Sequence, residues 1–455
     1  MTNLIDTIST DSHVDEPSEA IAETPIDSSV YEGEEFRVGK KRYPWWVKTV
    51  DRMTTELDAS KQADAKHNLL VDMFVVQREK LNKLLDQSKK NVIKGIEKNE
   101  PGKTLRDLAL HYAANSYMSS SVGSIGDAFF DFQPGIEEMQ GDWKLHPPRT
   151  LGLPAWEASK QEAHNTIEKA AIQLGAAMVG VTRLRPEWTN FNVKISSDVE
   201  EQTQDGRDTL IPQRMKYVIS LLGVAPPGLT RRNKTELGAA GDRAGYEAAF
   251  MATTRLIRFI KGLGYDAIDG QTLLPVIPYA IESGLGELGR MNRMINPIFG
   301  GNVRIGSIIT DLPLAIDKPI DFGLQEFCVG CKKCARDCPV QALSHAEEPY
   351  WEPFNQWQVP GKKAYFENNQ VCFDYQTSKD IFCSTCMSVC PWSKQDTTLL
   401  HDVARIAGSQ LPFLSKYIVY LDDLFGYGLI EDPDEMDDWW SEESPVRGVD
   451  SRHGR

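Results

Sequence analysis

The spacing of apolar and polar positions changes character several times along this chain. Leu69, Leu70, Met73 and Phe74 recur at helical intervals inside a stretch, 52–120, that predicts mainly helix. Residues 121–150 carry Gly and Pro among polar residues and predict irregular structure. From about residue 155 the pattern alternates between helix and strand. PAWEASKQEAHNTIEKAAIQLGA (154–176) predicts a helix and AMVGVTRL (177–184) a strand. MKYVISLLGV (215–224) is a second apolar, β-rich run. GYEAAFMATTRLIRFIKGLGY (245–265) predicts a strongly amphipathic helix that closes on Gly262 and Gly264. VRIGSIITDLPL (303–314) predicts another strand. Helix–strand–helix–strand order predicts an α/β core.

Composition sets outer bounds on that core. A chain of 455 residues with 41% hydrophobic and 25% charged positions is an ordinary globular protein. Its length suits roughly three domains, or one large core with an appended module. The formal charge of −15 argues against a phosphate-backbone partner, so no nucleic acid is expected. No run approaches the ~18 apolar residues of a spanning helix. No basic stretch followed by an apolar one marks an export signal at the N-terminus.

Charge is unevenly spread. Residues 1–36 hold ten acids and no Lys or Arg, which predicts a solvated acidic arm. RVGKKRYPWWVKTVD (37–51) then brings basic and aromatic residues together. Trp45 and Trp46 there suit an anchor at the edge of the core, with the wall of a ligand cavity as the rival reading. Eight acids in 431–443 predict a solvated face.

The chemistry is concentrated in the cysteines. All eight fall between Cys328 and Cys390. CVGCKKCARDCP (328–339) is a complete Cys-x2-Cys-x2-Cys-x3-Cys-Pro run. Cys383, Cys386, Cys390 and Pro391 form a truncated second run, with Cys372 upstream as its missing ligand. In two-cluster ferredoxins the fourth cysteine of such a run reaches the other cluster. That crossing assigns Cys328, Cys331, Cys334 and Cys390 to cluster 1, and Cys338, Cys372, Cys383 and Cys386 to cluster 2. A zinc site favours two Cys-x2-Cys pairs with a longer spacer and leaves Cys-Pro, twice, unexplained. Disulfides fit the paired spacing poorly. Two [4Fe–4S] clusters use every thiol, and they form an electron wire rather than an active site.

The other cofactor signals are weak. No GxGxxG opens a helix after a strand. ESGLGELGR (282–290) lacks the Lys-Ser/Thr of a phosphate loop. DSHVDE (11–16) begins like the Asp-x-His-x-x-Gly corrinoid motif but has Glu16 where glycine is needed.

YPWWVKTVD, SGLGELGR, VRIGSIITDLPLAIDKPIDFGLQEFC, the two cysteine motifs and LDDLFGYG, in that order from about residue 43 to 428, together resemble the respiratory reductive dehalogenases. The resemblance implies a corrinoid of cobalamin type, base-off and without a protein axial ligand, beside the two clusters. It implies an α/β (α+β) fold: a nitroreductase-like corrinoid-binding core with a two-cluster bacterial ferredoxin-like module. The expected organisation is an acidic arm (1–36), a mainly helical N-terminal unit (37–150), the α/β corrinoid-binding core (151–319), the ferredoxin-like domain (320–400) and a C-terminal segment (401–455) that packs back on the core and ends in an acidic tail.

The implied reaction is R–X + 2e⁻ + H⁺ → R–H + X⁻ on a small chlorinated alkane or alkene, at a Co(I) corrinoid fed by the clusters, in organohalide respiration. Tyr246 matches the family's proton donor and Arg304 the basic residue that stabilises the phenolate left behind. Gly284, Leu285 and Gly286 are placed where backbone could approach the corrinoid. Gln271 and Trp392 are candidates for the substrate pocket, Trp392 alternatively as a shield for a cluster. The family also implies a small integral membrane anchor as partner, with a homodimer as one option. It implies a mature chain exported folded by the twin-arginine route, its signal removed, held peripherally on the outer face of the cytoplasmic membrane. The rival readings are an epoxyqueuosine-reductase-like enzyme, which the −15 charge opposes, and a two-cluster electron-transfer protein without corrinoid.

Overall fold

A four-stranded sheet lies at the centre of the computed structural model, which describes residues 33–38, 42–58, 69, 77–104, 154–190, 192–206, 208–379, 381–394 and 399–441. The acidic arm up to residue 32, most of the stripe around Leu70 and Phe74, the segment 105–150 and Glu442 and Glu443 lie outside the described residues. The central strands are β1 (Met178–Arg183), β2 (Tyr217–Val224), β3 (Ala267–Asp269) and β4 (Val303–Thr310), arranged β1-β2-β4-β3 and antiparallel throughout. β2 and β4 are buried along almost their whole length. Helices cover both faces, so these strands read as unbroken apolar runs rather than alternating ones.

The labelled helices are α1 (Arg78–Glu97), α2 (Lys160–Gln173), α3 (Glu236–Gly262), α4 (Val276–Glu282), α5 (Leu324–Cys331), α6 (Asn369–Lys379), α7 (Leu399–Gln410) and α8 (Ser415–Leu424). α3 packs against β2 and β4. Gly223 and Gly306 make this possible. A Cβ on Gly223 would lie 2.4 Å from both the Ala249 nitrogen and the Gly245 oxygen, and one on Gly306 2.3 Å from Thr253 Oγ1. Arg304 stands directly across from Gly223 in the β2–β4 register. It therefore shares the face of the sheet on which α3 rests. This places Arg304 beside the residue that follows Gly245, which is Tyr246.

α3 begins at Glu236, nine residues before the expected start. Thr235 caps it, its Oγ1 accepting from the Gly238 N–H at 3.2 Å. Gly238 and Gly241 look like helix breakers in sequence. Here they let the first turns press on Arg232–Asn233 and Leu229, where a Cβ would have no room. β4 likewise ends at Thr310 rather than 314, where Thr310 Oγ1 turns to the Asp266 carbonyl. A small sheet formed by Val193–Ser196, Thr203–Asp205 and Asp208–Pro212 had no clear sequence signal. Its strands are short and largely polar.

From Glu34 onward the chain forms one compact unit. The cysteine block has its own aromatic core. Trp392 packs on Phe322 at 4.9 Å, Phe327 at 5.5 Å and Trp46 at 6.1 Å between ring centroids. Trp46 is thus a buried anchor. Its neighbour Trp45 is 69% exposed and borders a surface cavity of about 450 Å³ with Arg37, Arg42 and Lys318. α7 and α8 pack on α5. The segment after α8 returns to the core, where Arg232 donates to the carbonyls of Glu435 and Met436.

Candidate active site and cluster ligands

None of the eight cysteines is in a disulfide. Cys328 and Cys331 sit on α5 and Cys334 in the next turn, which Lys332 enters with φ 50°. Cys372 is on α6, Cys386 in the short helix Thr385–Ser388, and Cys390 just before Pro391. Burial raises these thiols, Cys328 to about 12 and Cys390 to about 11. After burial, Cys331 is raised most by Cys328 and Cys390, and Cys334 by Cys331, Cys328 and Cys390. On the other side, burial raises Cys386 and then Cys383 acts on it, with Cys372 also contributing; burial likewise raises Cys383, with Cys338 among its further neighbours. Most of these influences run within one or other of the two expected quartets, and Cys386 also acts on Cys334 across them.

Unpaired thiolates would be poorly solvated there, and binding to iron removes that penalty. Among the described residues no three His, Cys, Asp or Glu side chains close on a single ion. Polar hydrogens already point at the sulfurs: Ala342 N–H donates to Cys338 Sγ at 3.3 Å and Gln376 Nε2 to Cys372 Sγ at 3.2 Å.

Two buried cations brace the first run. Arg290 Nε donates to the Cys328 carbonyl, and its two terminal nitrogens donate to Val329, Ser344 and Ala346. Lys333, between Cys331 and Cys334, pairs with Asp422 and Asp423 and donates to the Tyr427 carbonyl at 2.8 Å. All three partners lie in LDDLFGYG, so that landmark anchors the cluster loop.

The structure brings Tyr246 and Arg304 together, though face-on. The guanidinium carbon lies 5.1 Å from the Tyr246 ring centroid, and Phe382 meets the same ring edge-on at 5.3 Å. Arg304 is 4% exposed and Nη2 donates to Asp242 Oδ1 at 2.7 Å. Nη1 reaches the Val303 carbonyl and Met387 Sδ. Nε is buried without a hydrogen-bond partner. Asp242, fully buried one helical turn before Tyr246, also accepts from Ser384 Oγ at 2.6 Å and Asn233 Nδ2 at 2.9 Å. Burial raises the Asp242 carboxyl, and Arg304, Ser384 and Asn233 oppose the shift. Asp242, Phe382 and Ser384 were missed in sequence. An acid one turn ahead of a helix tyrosine carries no signal of its own, and Ser384 is hidden between cysteines.

The remaining candidates lie elsewhere. Gly284 and Gly286 face the protein's own backbone: a Cβ on either would lie 2.4 Å from the Lys318 oxygen or 2.3 Å from the Ile295 oxygen. Leu285 is buried in the apolar cluster with Leu288 and Phe366. In the direction a side chain would take, the space beside both glycines is filled by chain, so there they serve close packing. Trp392 belongs to the aromatic core with Cys334, Cys338 and Cys390, a position that suits the shielding role. Gln271 caps a turn through its N–H to Asp269 Oδ1, with no recorded contact to Tyr246.

Comparison with known proteins bears on this geometry. Residues 41–199 match the family model described as reductive dehalogenase subunit, and residues 327–393 match a 4Fe-4S double cluster binding domain. A tetrachloroethene reductive dehalogenase from Sulfurospirillum multivorans is 31% identical over 320 residues, 65% of this chain and 62% of the relative. An epoxyqueuosine reductase from Cellulophaga algicola is 30% identical over 260 residues, 51% of this chain and 80% of the relative. A solved reductive dehalogenase studied for B12-dependent dehalogenation superposes with a TM-score of 0.60 at 20% identity, over 90% of this chain and 52% of that one. The chain thus spans about three-fifths of the first relative's length and about half of the solved one's.

Proposed function

Because the chain belongs to the reductive dehalogenase family, we propose that it removes halide reductively from a small chlorinated alkane or alkene, R–X + 2e⁻ + H⁺ → R–H + X⁻. One observation carries the reading. The loop holding Cys383 and Cys386 touches the Tyr246–Arg304–Asp242 group directly, through Ser384 and Met387. Electron delivery and proton delivery therefore meet in one place.

A corrinoid, when bound, supplies two-electron chemistry at a reduced cobalt. The residues present suit such a group at one end of β4. Asn302 Oδ1 and Arg304 Nε are buried there without hydrogen-bond partners, a demand that a macrocycle with amide arms can meet. Tyr246 gives its phenolic proton to the carbon that loses halide. Arg304 lies over the ring face, where its attraction grows as phenolate charge spreads into the ring, so it stabilises the product of proton transfer more than the phenol. The half-buried Phe382 and the buried Ala249 shield one side of this group from water.

The relatives named for chlorinated ethenes support a chloroethene-sized substrate. Among the described residues no helix is long and apolar enough to cross a membrane; in the proposed reading the enzyme lies peripherally on the outer face of the cytoplasmic membrane, held by a separate anchor subunit. The net charge of −15 disfavours the transfer-RNA substrate of the epoxyqueuosine alternative. The test is anaerobic halide release by the corrinoid- and iron-loaded enzyme, with reduced viologen and a panel of chloroalkanes and chloroethenes. Tyr246→Phe should abolish turnover while keeping cluster and corrinoid content. Full activity in that variant would remove the proton-donor role, and absence of halide release by the wild type would remove the reading itself.

A further inference from the structure

The three donors of Arg304 have unequal prospects. Nη2 is held by Asp242 at 2.7 Å and Nη1 by the Val303 carbonyl at 2.9 Å and Met387 Sδ at 3.4 Å. Only Nε is left over, and it is buried. The guanidinium is planar, so fixing both terminal nitrogens fixes the direction in which the Nε–H points. Asp242 is in turn fixed. Its Oδ1 also receives Ser384 Oγ at 2.6 Å, and Oδ2 receives Asn233 Nδ2 at 2.9 Å. Asn233 closes the ring: its Nδ2 donates to Ser384 Oγ at 2.9 Å, and its Oδ1 accepts the Ser384 N–H at 3.0 Å. Every member of this ring is buried. Ser384 lies directly after Cys383 and two residues before Cys386, both ligands of cluster 2.

We infer that Asp242 is the positioning residue for the proton-donor pair: with Asn233 and Ser384 it locks Arg304 over Tyr246 and fastens that pair to the cluster 2 ligand loop. The inference rests on the dehalogenase reading for its kinetic consequence but not for its geometric one. A bare Arg304 would have several rotamers open to it and would spend part of its time away from the ring. The carboxylate removes that freedom and fixes the direction in which the buried Nε–H faces the neighbouring space. The same carboxylate places a negative charge next to Cys383, so it acts on the electrostatics of cluster 2 as well as on the guanidinium. One residue thus sets the geometry of proton supply and ties it to the cluster 2 loop through Ser384.

The test compares wild type, Asp242→Asn, Asp242→Glu and Ser384→Ala as iron- and corrinoid-loaded enzymes. Two readouts are needed: steady-state halide release, and a potentiometric titration of both clusters followed by electron paramagnetic resonance. Asp242→Asn should lower kcat by about 10- to 100-fold, the scale of one lost charge-assisted hydrogen bond, with KM within about twofold. It should also raise the midpoint potential of cluster 2 while leaving cluster 1 in place. Asp242→Glu should recover part of kcat, which a purely structural role would not predict. Ser384→Ala keeps the carboxylate and loosens its tie to the loop; a severalfold fall in kcat is expected, and this milder variant carries the test if Asp242→Asn does not fold. Variants with full iron content, unchanged kcat and an unchanged cluster 2 potential would overturn the inference. A shifted cluster 2 potential in an enzyme that releases no halide even as wild type would uphold the tie and sink only the dehalogenase reading.

Discussion

Arg290→Met should unfasten cluster 1 while sparing cluster 2. Arg290 is 1% exposed and donates to four carbonyls: Cys328 at 2.9 Å, Ala346 at 2.8 Å, Ser344 at 3.0 Å and Val329 at 3.3 Å. Its guanidinium carbon lies 3.9 Å from the Tyr365 ring centroid. Methionine keeps much of the volume and removes every donor. A hydrogen bond from a charged donor contributes about 1.5–3 kcal/mol, and the four share one head group, so they do not simply add. Taking about two full bonds' worth gives roughly 3–5 kcal/mol, a large share of the 5–15 kcal/mol that typically holds a whole domain. The loss falls on the Cys328–Cys331 turn and on the strand of chain at 344–346 that closes over it. At about 1.4 kcal/mol per factor of ten, the turn should open some 10²- to 10³-fold more often. The assay is iron release to a chelator, with paramagnetic resonance distinguishing the clusters. Cluster 1 should bleach much faster than in wild type and before cluster 2. Arg290→Lys should fall between, since an ammonium keeps the charge but not the planar fork. Equal bleaching of both clusters, or wild-type kinetics, would refute the clamp.

Two further perturbations probe the core. Gly223→Ala puts a methyl group 2.4 Å from two backbone atoms of α3, which cannot yield as a side-chain end would; about 1–3 kcal/mol of overpacking and a lower melting temperature are expected, and an unchanged melt would show that the helix is not seated as described. Glu287 is pushed up to about 8 by burial, despite accepting from Thr54 Oγ1 at 2.6 Å and the Phe322 N–H at 2.7 Å. The native state then keeps a proton that the unfolded chain releases near its ordinary value of 4.5, so this contribution is complete below about 4.5 and is lost as pH rises toward about 8. Urea titrations across that window should show wild-type stability falling relative to Glu287→Gln, and a parallel pair of curves would refute the assignment.

How far the sequence revealed all this depended on the kind of signal. The cysteine spacing was legible because cluster ligation constrains covalent neighbours, and local spacing survives in one dimension. The strands at 178–183, 217–224 and 303–310 were legible because both faces are covered and the apolar runs are unbroken. Glycine is an ambiguous signal: Gly284 and Gly286 suggested room for a ligand, and in the direction a side chain would take backbone fills the space. In sequence, a glycine that opens a site and a glycine that closes a packing gap are the same letter. The pairing of Tyr246 with Arg304 needed the family resemblance, because a helix residue and a strand residue 58 positions apart share no local pattern. Asp242 and Ser384 were invisible for the same reason.

Those invisible contacts decide how the cysteine block is joined to the core. Lys333 ties the first run to LDDLFGYG, Arg290 ties it to the end of SGLGELGR, and Ser384 ties the second run to Asp242 and Asn233. In each tie one partner lies within two residues of a cluster ligand, and the other belongs to an element outside the cysteine runs. Iron ligation fixes the positions of the cysteines, and the ties carry that order into the segments they reach. A chain without its clusters has eight free thiols, three of them buried, and ties anchored to turns that iron no longer braces. Order around Tyr246 is therefore coupled to cluster loading: the residue that positions Arg304 is itself positioned by a loop whose shape iron sets. That coupling has a chemical use. In the role proposed for Tyr246, a proton donor arranged only when the electron path is complete does not sit poised in an enzyme that cannot deliver electrons.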